Sequence, residues 1–180
     1  AHAVAPSPVS VIFSGAMVSV AMFVLAKLSL QVFAASPDVR FLLRTLLPAL
    51  GAATALVGGL MAWGQRHLKR MLAFSTIAHL GVMLVGLTTL STTGMAGLVV
   101  YIVGHGLVKG ALFMVVGILL ATRASLDELD LRGLGRGLWP AGVAMAVGAM
   151  LLGGLPWGVL DAGSGLVESA GEGVGRWAVA

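Results

Sequence analysis

Three side chains able to carry protons stand one helical turn apart in a stretch with almost no charge. Lys109 is the only formally charged residue between Ala96 and Ala121. His105 precedes it by four residues, and Tyr101, the single tyrosine, by eight. On an α-helix this spacing puts all three on one face, drifting slowly around the axis. At a rise of about 1.5 Å per residue the stripe covers about 12 Å of helix. An ammonium in hydrocarbon costs about 3 kcal/mol on insertion scales, so a chain keeps one there only where something compensates for it or uses it. The chemistry this stripe supports is proton storage and transfer. A structural reading stands beside it, in which Lys109 is anchored by a carboxylate or by carbonyls of a neighbouring helix.

Other residues extend the set. His79 has Ser75 four and Thr76 three residues before it, a polar strip that can face the stripe and hold water. A histidine so placed is also a common packing residue. Arg66, Lys69 and Arg70 read most simply as topology determinants and, second, as a cytoplasmic entry or a partner contact, with Lys69 counted among the candidate proton-translocation residues. Asp127, Glu128 and Asp130 lie beside Arg123 and Arg132 and read as a solvated charge network. Asp161 follows Pro156 closely; it reads either as a proton-outlet group or counter-charge within the membrane, or as an exposed helix-end residue. Gly106 and Gly110 form a GxxxG pair around the stripe, suited to close approach of a partner helix.

The elements that position these groups are membrane helices. Hydrophobic residues make up 58% and charged residues 10% of the 180-residue chain, far from the balance of a soluble domain. Five spans are expected, at about Pro8–Ala34, Arg44–Trp63, Lys69–Leu90, Ala96–Ala121 and Leu138–Leu160, with connections at Ala35–Leu43, around Arg66, at Ser91–Met95 and at Thr122–Gly137. Ala162–Ala180 begins a sixth helix that stops short. The expected fold is therefore an all-α polytopic membrane bundle of five to six helices in one domain. Two places break the rhythm: Ala5-Pro6-Ser7-Pro8, and Gly153-Gly154-Leu155-Pro156-Trp157-Gly158 in the fifth span. Such breaks can free backbone carbonyls at membrane depth, although Pro and Gly are also simply common in membrane helices.

Charge sets the expected orientation. Arg66, Lys69, Arg70, Arg123, Arg132 and Arg136 fall on one side, which is expected to be cytoplasmic, against Arg40 and Arg44 on the other. Lys27 then snorkels toward the opposite face. The net charge of +4 is explained by this topology and does not point to nucleic acid. With no cysteine, disulfides, iron–sulfur clusters and thiol catalysis are excluded. No phosphate loop, metal-ligand spacing or carboxylate pair is present, so neither a cofactor nor a metal is expected, and no redox chemistry in this chain. The chain opens Ala1-His2-Ala3 without an initiator Met or a basic n-region, an unusual start for a complete membrane protein, and no signal peptide is expected.

The motifs taken together resemble the antiporter-like membrane subunits of respiratory complex I, membrane-bound hydrogenases and Mrp-type sodium/proton antiporters. Ala1–Ser10 with Ser14-Gly15-Ala16-Met17-Val18 resembles the segment joining that family's broken seventh helix to its eighth. Leu68–Gly81 is similar to the tenth, and His105–Phe113 to the eleventh, which carries a central lysine in many members. Gly154-Leu155-Pro156 resembles the break in the twelfth. The resemblance implies proton or sodium movement through a half-channel of buried Lys, His and carboxylate groups. Lys109 would be its centre, with His105, His79, Tyr101 and Asp161 along it and Lys69 at its mouth. It implies a bacterial plasma (inner) membrane, a lipid bilayer around the helices and other membrane subunits of a larger complex as partners. It also implies a unit of about fourteen helices, of which this chain covers the middle and later part. Departures are visible: Ser19 stands where many relatives have a membrane lysine, Ser164 falls about where they have Lys or Glu, and Pro156-Trp157-Gly158 replaces Pro-Pro-Phe. A structural or assembly subunit, and a truncated product without activity of its own, are the alternatives.

Overall fold

A computed structural model describes residues 5–33, 36–88, 91–123, 125–132, 137–154, 156 and 158–177, excluding the side chains of Leu42 and of residues 170–177. Expectations placed on Ala1 to Val4, Ala34, Ala35, Leu90, Arg136, Leu155, Trp157 and Ala178 to Ala180 lie outside these residues. The described residues are almost entirely helical. α1 (Ser7–Val11), a π-helical turn (Ile12–Met17) and α2 (Val18–Gln31) run on without interruption as a first span of 25 residues. Then come α3 (Pro37–Trp63), α4 (Leu68–Leu87), α5 (Thr92–Arg123), the short α6 (Glu128–Leu131), α7 (Trp139–Leu152) and α8 (Val159–Trp177). The first span, α3, α4 and α5 are long and apolar enough to cross a bilayer.

Three boundaries differ from the sequence expectation, each for a local reason. α3 begins at Pro37, so most of the expected Ala35–Leu43 connection is helical. Ser36 is extended, Pro37 fits the first helical turn, and Asp38 complements the positive helix end. α5 begins at Thr92, ahead of Ala96, where the Ser91 hydroxyl accepts from Gly94 N at 3.1 Å and caps the new turn. The expected fifth span divides: α7 ends at Leu152, Gly154 takes φ +79°, and a separate helix starts at Val159 and continues through most of the tail. At about 1.5 Å per residue the 14 residues of α7 reach about 21 Å, short of a hydrocarbon core of about 30 Å. α7 alone is therefore too short to cross that core.

α5 is the axis of the bundle. The first span runs antiparallel to it, Ser7 lying by Gly117, Val11 by Gly110 and Ser19 by Ile102. They cross at Gly15 and Gly106, where a Cβ on Gly106 would lie 2.9 Å from Gly15 O. α7 and α8 continue one another along a different side of α5. Gly148 of α7 meets Leu112, Val159 of α8 meets Gly104, and Val167 reaches Gly97. The break is consequently level with residues 104–112 of α5, within a turn of His105 and Lys109. α4 packs antiparallel on α5, and α3 covers α4 from outside. In that last seam Gly51, Gly58 and Gly81 let the two backbones touch.

At one end of the bundle two loops pair as a short antiparallel bridge between His67 and Asp127. Leu68 N donates to Leu126 O at 3.1 Å and Glu128 N to Arg66 O at 3.0 Å. The Asp127 carboxylate also caps α6 by accepting from Leu129 N at 3.0 Å, and Asp130 accepts from Ser125 at 2.6 Å. Ala5, Arg66, Lys69 and Arg123 are thereby gathered at this end. Lys27 is exposed, with its ammonium 5.9 Å from the Phe23 ring centroid. Outward faces are apolar: Leu50, Leu56, Leu60 and Trp63 of α3 are all exposed, as suits lipid contact. The inside carries the polarity, with Ser10, Ser14, Ser29, Lys69, Thr76, His105 and Lys109 buried.

A methyl group at Gly81 would land on Ala55 N and Gly51 O, backbone atoms that cannot rotate away, whereas one at Gly59 meets nothing within 4 Å. Gly81→Ala is expected to destabilise the α3–α4 pair by about 1–3 kcal/mol, the usual range for overpacking. Gly59→Ala should be silent, and thermal unfolding of the two variants in detergent checks the difference.

Candidate functional site

The stripe on α5 meets the polar strip on α4. Both helices are continuous here, so four-residue steps on each keep facing side chains in step along the antiparallel pair. Lys109 is 0% exposed. Its Nζ donates to Leu72 O at 3.0 Å and to the Ser75 hydroxyl. One turn along, the His79 and His105 rings lie 5.0 Å apart between centroids, tilted by 47°. His79 Nδ1 and the Tyr101 hydroxyl are hydrogen-bonded at 2.7 Å. Lys109, His105, His79 and Tyr101 are thus brought together in one file at the α4–α5 interface.

His105 is the unusual member. It is 0% exposed, and both ring nitrogens lack a partner among the described residues. A buried polar group without a partner costs about 1–3 kcal/mol, so such a site calls for water or a transferable proton. Gly104 and Gly106 flank it; the first lets Val159 of α8 come close, the second the backbone of the first span.

A second set of hydroxyls converges on the same carbonyl. Ser75 Oγ and Thr76 Oγ1 each donate to Leu72 O at 3.0 Å, alongside the Lys109 ammonium. Thr76 Oγ1 lies 2.9 Å from Ser14 Oγ, and Ser14 is on the π-helical turn of the first span. Ser14 and the Leu72 carbonyl are participants that sequence reasoning missed. The Ser14–Thr76 contact joins residues 62 apart, and nothing local announces it. π turns inside α-helices frequently occur at functional sites.

Lys69 lies in the first turn of α4 on the face of Leu72 and Thr76. It is 3% exposed, and its ammonium donates to Ala5 O at the start of the first span. Asp161 occupies the first turn of α8, half-buried, where Gly163 packs against Tyr101. Ser19 is satisfied by backbone: its hydroxyl donates to Gly15 O and, at 3.4 Å, to Ile102 O. Ser164 donates to Asp161 O at 3.0 Å. Among the described residues no group of three or more His, Cys, Asp or Glu is placed to hold a metal ion.

Buried Lys, His and Tyr groups threaded through a polytopic helix bundle define a class of membrane protein with ionisable groups in its interior. Comparison with known proteins narrows the class. The family model for the transmembrane region of NADH:quinone oxidoreductase and Mrp antiporter proteins matches residues 1–163, and the chain belongs to this family. It is 34% identical over 151 residues to NAD(P)H-quinone oxidoreductase chain 4 1 of a Picosynechococcus species, covering 84% of this chain and 28% of that protein. It is 29% identical over 156 residues to NAD(P)H-quinone oxidoreductase chain 4-3 of a Nostoc species, covering 87% and 27%. Its fold matches, with a TM-score of 0.84 and 25% identity, a chain in the structure of the membrane-bound sulfane sulfur reductase, an archaeal respiratory membrane complex; 94% of this chain and 34% of that one are covered. The chain therefore spans about 28% of the length of the curated relatives it matches.

The Ser14–Thr76 contact is expected to couple the first span to α4. In a double-mutant cycle of Ser14→Ala and Thr76→Val the interaction energy should be about 0.6 kcal/mol, with about 1.7 kcal/mol as the ceiling for such membrane hydrogen bonds. Thermal denaturation of the single and double variants measures it.

Proposed function

We propose that the chain forms part of a proton- or sodium/proton-translocating membrane subunit, with Lys109 as the central proton store. The fully buried Lys109 ammonium, held by the neutral oxygens of Leu72 and Ser75, carries this reading. His105 and His79 pass protons laterally from it, and Tyr101 and Ser75 order the water that such transfer needs. Lys69 is the intake group at the end of the bundle where Ala5 and Arg66 lie. Family membership supports the reading, as do relatives named as chains of quinone oxidoreductases and a structural match from a respiratory membrane complex. In this proposal the chain is one domain of a larger unit of about fourteen helices in a bacterial plasma membrane. It works beside other membrane subunits, which hold the redox chemistry or counter-ion exchange, with the Lys69 end facing the cytoplasm.

One observation favours a second, structural reading. The bonds from Lys109 to Leu72 O and Ser75 clamp α5 to α4, and buried polar groups do lock helices in this way. Lys109→Met in the native complex separates the two. Translocation predicts that ion flux into sealed vesicles, normalised to assembled complex, falls by at least about a hundredfold, the low end of what a positioned acid–base group contributes. Flux per complex that stays at the wild-type level, with assembly reduced, would overturn translocation in favour of the clamp.

A further inference from the structure

On the side away from Lys69, the file ends at Tyr101 beside open space. A cavity of about 240 Å³ lies between α3, α4, α5 and α8. Its walls are largely apolar, Met83, Leu98 and Val167 among them, and the groups that break this are Tyr101, Ser164 and Glu168. Tyr101 is 8% exposed and closes the inner end, where its hydroxyl is bonded to His79. Ser164 is half-buried; Glu168, one helical turn farther along the same face of α8, is exposed.

The position of Glu168 along the bundle follows from its neighbour. Val167 packs against Gly86 of α4 and Gly97 of α5, close to where α4 ends at Leu87 and α5 begins at Thr92. Glu168 is therefore near the end of the bundle opposite Lys69, and the cavity joins it to Tyr101. Water enters an apolar cavity only where it finds polar partners, and this one offers three in a row. An ionisable group on a membrane helix facing such a space marks an ion path. Asp161 is not among the lining residues and sits at mid-bundle. Glu168 also lies beyond the residues that the family model matches.

We propose that Glu168 is the outlet carboxylate of the relay, with Tyr101 and Ser164 holding the water that connects it to His79. This rests on the translocation reading above and names the group at its far end. A proton leaving the His79 imidazole passes through the Tyr101 hydroxyl and the water at Ser164, protonates the Glu168 carboxylate, and is released to bulk water on that side. No electron moves, and the carboxylate returns to its starting state. The outlet role that the sequence suggested for Asp161 belongs in this reading to Glu168.

The test uses the native complex in oriented vesicles. Because the chain contains no cysteine, Glu168→Cys adds its only thiol. A membrane-impermeant methanethiosulfonate reagent is expected to label Glu168→Cys from one face and an Arg66→Cys variant from the other. Glu168→Gln should lower flux per assembled complex by about tenfold or more, as for loss of an acid–base group, and Glu168→Asp should restore most of it. Labelling from the same face as Arg66→Cys, or wild-type flux in Glu168→Gln, overturns the outlet. If Lys109→Met abolishes flux while Glu168→Gln leaves it intact, the outlet fails and the relay stands; if neither variant changes flux, both fail. Should Glu168→Gln not assemble, the labelling pattern and the Glu168→Asp flux decide.

Discussion

The Lys109 ammonium must meet oxygen inside a bundle whose other walls are hydrocarbon, and the Leu72 carbonyl is where it does so. That carbonyl is already claimed within its own helix by Ser75 and Thr76. A carbonyl oxygen offers two lone pairs, so three side-chain donors at 3.0 Å compete for it beside the helical N–H of Thr76. The competition has outlets: the Thr76 hydroxyl can turn to Ser14, and the Ser75 oxygen accepts from Lys109. One lysine thereby ties α5 to α4, and through Thr76 ties α4 to the π turn of the first span. The Leu72 carbonyl is one of several polar links among the three helices, beside His79–Tyr101, Ser19–Ile102 and Lys69–Ala5.

Bringing helices close enough for this requires small residues at the crossings. Gly15 and Gly106 let the first span touch α5 just beside His105, and Gly97 with Gly163 does the same for α8. Apolar side chains provide no driving force between helices already in lipid, so close backbone contact and buried hydrogen bonds have to supply it. A short α7 followed by a separate α8 covers the length of α5, with Gly148 and Gly163 giving the close approaches, while Gly153, Gly154 and Pro156 of the break are exposed.

Much of this arrangement is legible from residue spacing. The Tyr101–His105–Lys109 stripe follows from four-residue steps on one uninterrupted helix, and those steps survive because α5 contains no proline. That His79 meets the stripe is an inference available from polar residues on adjacent spans, and the rings do lie together. What stays hidden depends on backbone atoms or on distant pairing. A carbonyl such as Leu72 O has no signature in the sequence, and Ser14 finds Thr76 only once three helices are packed. Helix ends depart from the hydropathy pattern where capping outweighs it: Pro37 and Asp38 start α3 well ahead of the apolar run. Glu168 is silent in the sequence because it lies past the break in a glycine-rich tail, whereas its relevance comes from a cavity with three other helices around it.

The chemistry of the oxygens around Lys109 bears on which of the two readings the site suits. A buried lysine paired with a carboxylate is locked, because loss of its proton strands an uncompensated negative charge in a low dielectric, at a cost of several kcal/mol. A lysine on a carbonyl and a hydroxyl strands nothing. When it gives up a proton, the Ser75 hydroxyl can reverse and donate to the free amine, and Leu72 O keeps a donor from its own helix in Thr76. Leu72 O and the Ser75 hydroxyl can thus serve Lys109 with or without its extra proton. A purely structural clamp has no need of that symmetry, since a carboxylate partner would hold the helices more tightly. Neutral oxygens around Lys109 therefore favour the proposed proton store over the clamp, because they leave no charge stranded when the proton departs.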